Sequence, residues 1–269
     1  MLQTPHVLDI QAKIKSEGNL IGADLSKLDL YAIALSKVDL AQANLAHTTL
    51  TNADLSYANL TGANLQKTDL RGVDLTGANL TGANLEGAYI TRSDLRQANL
   101  TDANLQNAKL ELALYDKATI FPESFRYKTS GAVGPGAVLS GKYLNTADLR
   151  GVDLTGAKLI GAYLSGADLT GAILEDVSLS GANLQKAILT GACLRNARLV
   201  NAELQEVDLR ATDLTGADLS NLANISGADF SMAVGLSKSD RDRLLGSHPQ
   251  DQLTTWNDYT RRNTNNSLI

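Results

Sequence analysis

The residues best equipped for chemistry in this chain are spread by a rule that serves no reaction. Asp54, Asp74 and Asp94 stand twenty residues apart. Carboxylates gathered at one point do acid–base work or hold a cation. Evenly spaced, they read instead as a column in which each Asp bonds a nearby backbone N–H or meets a cation. The histidines, His6, His47 and His248, are far apart, and Cys193 is the single cysteine. One thiol forms no intrachain disulfide, and no Cys–His spacing suits zinc. Cys193 is expected at the surface, but no neighbour in sequence can serve as its general base. The phosphate-cradling patterns GxGxxG and GxxxxGK[ST] are absent. No catalytic residue, cofactor or metal is assigned, and the chain is expected not to be an enzyme.

Two groups of side chains could hold a partner. Phe121, Phe125, Arg126, Tyr127 and Lys128 crowd into eight residues of a chain that is 4 % aromatic. Pro122 within that stretch and Pro135 after it cannot donate to a β ladder. Either the loop protrudes to bind a partner, or its aromatics pack on the wall behind them. Tyr143 and Tyr163, again twenty apart, are expected to stack in one outward column.

The element that positions all of these is a repeat. NADLSYANLTGANLQKTDLRGVDLTGANLTGANL, residues 52–85, carries leucine at every fifth position, among them Leu55, Leu60, Leu65, Leu70 and Leu75. Leu154, Leu159 and Leu164 keep the same step further on. Two residues before most leucines stands a small residue, as at Ala53, Ala58 and Ala63. A period of five matches neither a strand nor a helix. A helix would turn successive leucines around its whole girth, and a flat strand would alternate them between faces. A coil built of five-residue sides turns every leucine inward, with room only for a small side chain beside it. Such coils bury their apolar faces only against their neighbours, which is the logic of a solenoid.

The A(D/N)Lxx pattern resembles that of the pentapeptide-repeat proteins over roughly residues 18–235. The resemblance implies an all-β solenoid, a right-handed quadrilateral β-helix of about ten coils. The Y-D-x-x-T-x-F-P-x-x-F stretch from Tyr115 to Phe125 is similar to one in cyanobacterial members. Counting in fives, centres run without a slip from Leu20 to Ile120, and the register restarts at Leu139. That count makes 14 residues extra, or nine if Phe125 fills a centre, so a loop is expected to leave the coil at a corner. The second run slips by one in SNLAN and closes on Ile225 and Phe230.

Short helical caps are expected at both ends. Thr4-Pro5 opens the first, with Val7, Ile10 and Ile14 at helical spacing. Ser239-Asp240-Arg241-Asp242 opens the second as a capping box. Leu253, Trp256 and Tyr259 then share a helical face, with Trp256 as anchor. The organisation expected is a cap at 1–18, β-helix at 19–120, a loop at 121–137, β-helix at 138–235, a cap at 236–262 and a frayed tail at 263–269.

The 269-residue chain has a net charge of −5, with no acidic or basic block. No apolar run approaches a membrane span and no signal pattern opens the chain, so a cytoplasmic protein is expected. No basic face favours direct nucleic-acid binding. The resemblance implies a non-catalytic scaffold for protein–protein interaction with an unidentified protein partner. The alternative it implies is a DNA mimic that modulates a type II topoisomerase, as in gyrase protection. Against that stand the diffuse charge and the leucine centres, where members of that class favour phenylalanine. The chain is expected as a monomer, or as a dimer through the C-terminal cap, the segment through which gyrase-protecting members pair.

Overall fold

The structure, a computed structural model, describes residues 9, 10, 12 and 19–269. It divides into two compact units, Met1–Val133 and Gly134–Ile269. The helix expected over 1–18 lies outside the described residues except at Asp9, Ile10 and Ala12, which are helical, with Ile10 buried.

One side of a coil shows why five residues suffice. The Leu40 N–H donates to the Asn59 carbonyl (2.7 Å), and the Asn59 N–H donates back to the Val38 carbonyl (3.1 Å). Asp39 therefore pairs in parallel with the residue twenty on, and Asn59 in turn with Asn79. The Ala43 N–H then closes a turn on the Leu40 carbonyl (3.0 Å), with Gln42 at φ 59°. A positive φ at the third turn position is the type II signature. Four such sides return the chain to its starting column.

The repeat then fills its own interior. In the first unit every centre from Leu20 to Leu110 is at most 5 % exposed. In the second, every centre from Leu139 to Leu219 is at most 3 % exposed. Where Thr replaces the small inward residue it must bond: Thr48 donates to the Leu25 carbonyl (2.8 Å) and Thr68 to the Leu45 carbonyl (2.7 Å).

The Asp and Asn positions are turn residues. Their Oδ1 accepts the N–H two residues on, as Asp54 does from Ser56 (3.0 Å) and Asp74 from Thr76 (2.9 Å). Asp94 takes the Arg96 N–H (3.0 Å) and its guanidinium as well. This Asx bonding explains the acidic column without a ligand. Asparagine also has a donor to spare, and laces coils together. Asn64 Nδ2 donates to Asn44 Oδ1 (3.1 Å), and Asn44 Nδ2 to Asp24 Oδ1 (3.0 Å).

The register departs from the sequence count after Tyr115. Asn99 bridges Ile120, not residue 119, so Ile120 is an outward residue, 51 % exposed, and not a centre. Phe121 follows it at the centre position. Asp116 causes the slip. Its Oδ1 gathers the N–H groups of Gln97 (3.0 Å), Ala118 (3.0 Å) and Thr119 (2.9 Å), which widens the corner by one residue. Burial pushes the Asp116 carboxyl up, but these donors outweigh it and hold it below its ordinary value. In the second unit Glu203 bridges Asn224, so the slip expected in SNLAN is present, with Leu222 tucked in at 6 % exposure.

After the last rung, Asp213 with Val234, three short helices and a hairpin follow. They are α1 (Lys238–Ser247), α2 (Gln250–Thr254), β1 (Trp256–Asn257), β2 (Arg262–Asn263) and α3 (Thr264–Leu268). The α1 capping box uses Ser237 and Asp240, two residues ahead of the Ser239 start expected. Helix α2 stops at Thr254, so Trp256 and Tyr259 share no helical face and are 54 % and 65 % exposed. The anchor is instead Asn257, 1 % exposed, whose Nδ2 reaches the carbonyls of Glu206 (3.1 Å) and Gly227 (2.8 Å). The stretch expected as a frayed tail carries α3, in which Thr264 and Leu268 are buried.

Candidate interaction surface

The stretch expected as an inserted loop is not extra chain. Ile120 bridges Asn99 and Val133 bridges Leu114. From 99 to 114 is fifteen steps; from 120 to 133 is thirteen. Residues 121–132 thus span two sides of a coil, with two residues fewer than the repeat uses. The inward small residue and the bridging residue are already back at Ala132 and Val133, ahead of the restart expected at Leu139.

Too short to form rungs, this segment packs on itself. Tyr115, 3 % exposed, meets Phe121 and Tyr127 edge-on, with centroids at 5.6 and 5.3 Å. Phe121 stacks on Tyr127 at 4.6 Å, and Phe125 lies 5.9 Å from Phe121. Phe125 N–H donates to the Pro122 carbonyl (2.9 Å), and Tyr127–Thr129 forms a 3-10 turn. Of the five candidate residues, then, Phe121, Phe125 and Tyr127 are half-buried in one cluster, while Arg126 and Lys128 are exposed. Lys128 Nζ sits 5.9 Å from the Tyr127 ring.

Behind the cluster the ladder has a gap. One coil earlier, the N–H groups of Leu85, Gly87 and Ile90 donate to the carbonyls of Asn104, Gln106 and Lys109. Their counterparts on the next coil, the N–H groups of Leu105, Asn107 and Leu110, have no acceptor among the described residues. The Ala103 and Ala108 carbonyls likewise lack the donor that Ala83 and Ala88 have. A cleft of about 410 Å³ opens there, between Ala103, Asn104 and Leu105 on the coil and Pro122, Ser124 and Phe125 on the loop. Sequence counting missed this edge because it assumed that every side finds a partner.

The second candidate group lies on a wall of the second unit. Tyr143 and Tyr163 bridge in one column and their rings stack at 4.7 Å, 12° from parallel. They are 73 % and 43 % exposed. Cys193 is half-buried between Ile173 and Asp213 in another column. Among the described residues no group of three or more His, Cys, Asp or Glu could hold a metal ion, and no helix is long and apolar enough to cross a membrane.

Comparison with known proteins bears on this architecture. A family model described as pentapeptide repeats matches residues 39–77, 78–114, 136–166, 162–201 and 192–233. No curated protein sequence matches. Among solved structures, the chain is similar to HetL, a pentapeptide repeat protein involved in heterocyst differentiation regulation from the cyanobacterium Nostoc sp. strain PCC 7120. The identity is 29 % over 87 % of this chain and 97 % of that one, with a TM-score of 0.32. It is similar to alr5209, a pentapeptide repeat protein from Nostoc PCC 7120, at 35 % identity over 48 % of this chain and 98 % of that one, TM-score 0.32. QnrB1, a plasmid-mediated fluoroquinolone resistance protein, is 19 % identical over 83 % of this chain and 98 % of that one, TM-score 0.31. The repeat model covers more than half of the chain, which therefore belongs to the pentapeptide repeat family, whose members fold as right-handed quadrilateral β-helices.

Proposed function

We propose that this chain is a non-catalytic scaffold that binds a protein partner through its outer walls. The observation that carries the reading is the Tyr143–Tyr163 pair. Two large rings stand exposed and stacked, each fixed by the rung beneath it. A surface held in place by a backbone ladder loses little conformational freedom on binding. Both interiors are filled by leucine, so the chemistry left over is that of the walls. Within this reading the β-helix runs to about ten coils with helical caps at both ends, as its sequence implies. The chain is a monomer, or a dimer through the C-terminal elements.

Affinity capture from the source cells, comparing the native chain with a Tyr143→Ala/Tyr163→Ala double variant, tests the proposal. A partner held by the native chain and lost by the variant supports it. A partner set unchanged by the double substitution overturns the assignment of that wall. The alternative, a DNA mimic acting on a type II topoisomerase, needs an uncompensated acidic surface. Here wall aspartates meet arginines: Asp69 with Arg71, Asp94 with Arg96, Asp148 with Arg150 and Asp213 with Arg195. A gyrase supercoiling assay with and without quinolone separates the two readings; no effect at any ratio is expected.

A further inference from the structure

We propose that the tyrosine wall of the second unit docks an acidic segment of a partner protein, one that sets carboxylates beside an apolar side chain. This deepens the scaffold reading and rests on it.

Charge in the second unit is sorted by wall. Val138, Lys158 and Ser178 bridge in one column, and Tyr143, Tyr163 and Asn183 in the next. The chain that forms these two adjacent walls over three coils, residues 138–147, 158–167 and 178–187, holds three lysines, no arginine and no carboxylate. The remaining two walls of the same coils, residues 148–157, 168–177 and 188–197, hold five carboxylates and two arginines. One half of the girth therefore carries +3 and the other −3, in a chain whose net charge is −5.

Pairing sharpens the division. On the acidic walls Asp148 meets Arg150 and Asp213 meets Arg195. On the tyrosine side Lys186 meets Glu206 of the following coil at 3.6 Å. Lys142 and Lys158 are exposed and make no ion pair among the described residues. Both stand beside the rings. Lys142 directly precedes Tyr143, and its carbonyl takes the Tyr163 N–H (2.9 Å), so one rung fixes it with both tyrosines. Lys158 lies one wall round from Tyr163, with Ile160 at the corner between them.

The partner's chemistry follows from these groups. Two ammonium groups without a counter-charge call for carboxylates. The Tyr143 and Tyr163 hydroxyls have no hydrogen-bond partner among the described residues, and a phenol donates well to a carboxylate. Between them, the ring faces join Ile160 and Val138, which are 49 % and 37 % exposed, in a surface that an apolar side chain covers. The acidic walls on the far side repel such a partner, so the field of the unit also sets which face it meets. Phosphate groups fit less well. Two-point phosphate recognition draws on arginine, and a nucleic-acid backbone on a longer run of cations.

The test titrates the full chain at low salt with two fluorescent ten-residue peptides. One sets six glutamates around two phenylalanines; in the other, glutamines replace the glutamates. The proposal expects the acidic peptide to bind at least about tenfold more tightly by anisotropy, and the difference to shrink as salt is raised. Lys142→Gln/Lys158→Gln should weaken the acidic peptide at least about threefold with the melt unchanged. Equal binding by the two peptides, binding by neither, or an affinity that ignores the lysine substitutions overturns the proposal. Tighter binding by a single-stranded oligonucleotide than by the acidic peptide also overturns it, in favour of nucleic acid. The scaffold reading is judged separately: a cellular partner lost with Tyr143→Ala/Tyr163→Ala but kept with Lys142→Gln/Lys158→Gln leaves the tyrosine wall standing and overturns only its acidic occupant.

Discussion

The β-helical rungs of each unit end in an edge, and the two edges are treated differently. At the last rungs of the second unit, backbone carbonyls meet side chains from the C-terminal elements. His248 Nε2 lies 3.2 Å from the Leu222 carbonyl, and Ser267 Oγ, which donates to the Thr264 carbonyl (2.8 Å), lies 3.4 Å from the Ala228 carbonyl. Thr264 Oγ donates to the Ile225 carbonyl (2.6 Å), repeating what Thr68 does to Leu45 inside the first unit. Tyr259 lies 5.8 Å over the Arg210 guanidinium, and Asp208 beneath is 2 % exposed in its side chain. Burial pushes the Asp208 carboxyl up, yet the Arg210 bonds prevail and hold it below its usual value. Over residues 102–110 of the first unit no side chain among the described residues takes that part. An edge closed by short polar groups is finished structure; at the other, the N–H groups of Leu105, Asn107 and Leu110 have no acceptor among the described residues.

The contrast can be scaled against the interior. Leu75→Asp places a carboxylate where a side chain 1 % exposed now packs. Its cost should exceed about 4 kcal/mol, seen as loss of a cooperative melt by circular dichroism. Gly235→Ala comes next, at the exit to the covered edge. Its φ is 83°, and a methyl group there would fall on the Thr215 backbone. A loss of about 3 kcal/mol in urea unfolding is expected. Asp116→Ala strips three N–H groups of their acceptor at the corner that begins the gap, and should cost about 2 kcal/mol. Thr264→Val keeps the shape but leaves the Ile225 carbonyl without that donor, for about 1–2 kcal/mol. If Thr264→Val changes nothing, the covered edge is no better satisfied than the open one and the comparison fails. Smallest is Thr146→Gly, which relieves a β-branched residue at φ 55° and should stabilise by about 1 kcal/mol.

Much of this was legible in the sequence. Inward leucines, small neighbours and the Tyr143–Tyr163 column all follow from a period of five. What was missed has a physical cause in each case. Thr119-Ile120-Phe121 repeats the order small, outward, centre seen at Thr48-Thr49-Leu50, and taking Phe121 as the centre would have revealed the slip. The thirteen-step segment was misjudged as an insertion because counting residues cannot tell a side that pairs from one that does not. Asn257 was passed over in the expected cap, and Thr264 and Ser267 were read as a polar tail, because their bonds go to backbone carbonyls, which leave no hydrophobic pattern behind.

The central claim is that backbone pairing between successive coils organises this molecule and is interrupted after Leu105. Residue-resolved amide exchange on the unliganded chain tests it most directly. Leu105, Asn107 and Leu110 should exchange at least about a hundredfold faster than Leu85, Gly87 and Ile90, their counterparts one coil earlier. Equal protection of the two sets would mean that the edge is already paired, and would contradict the account.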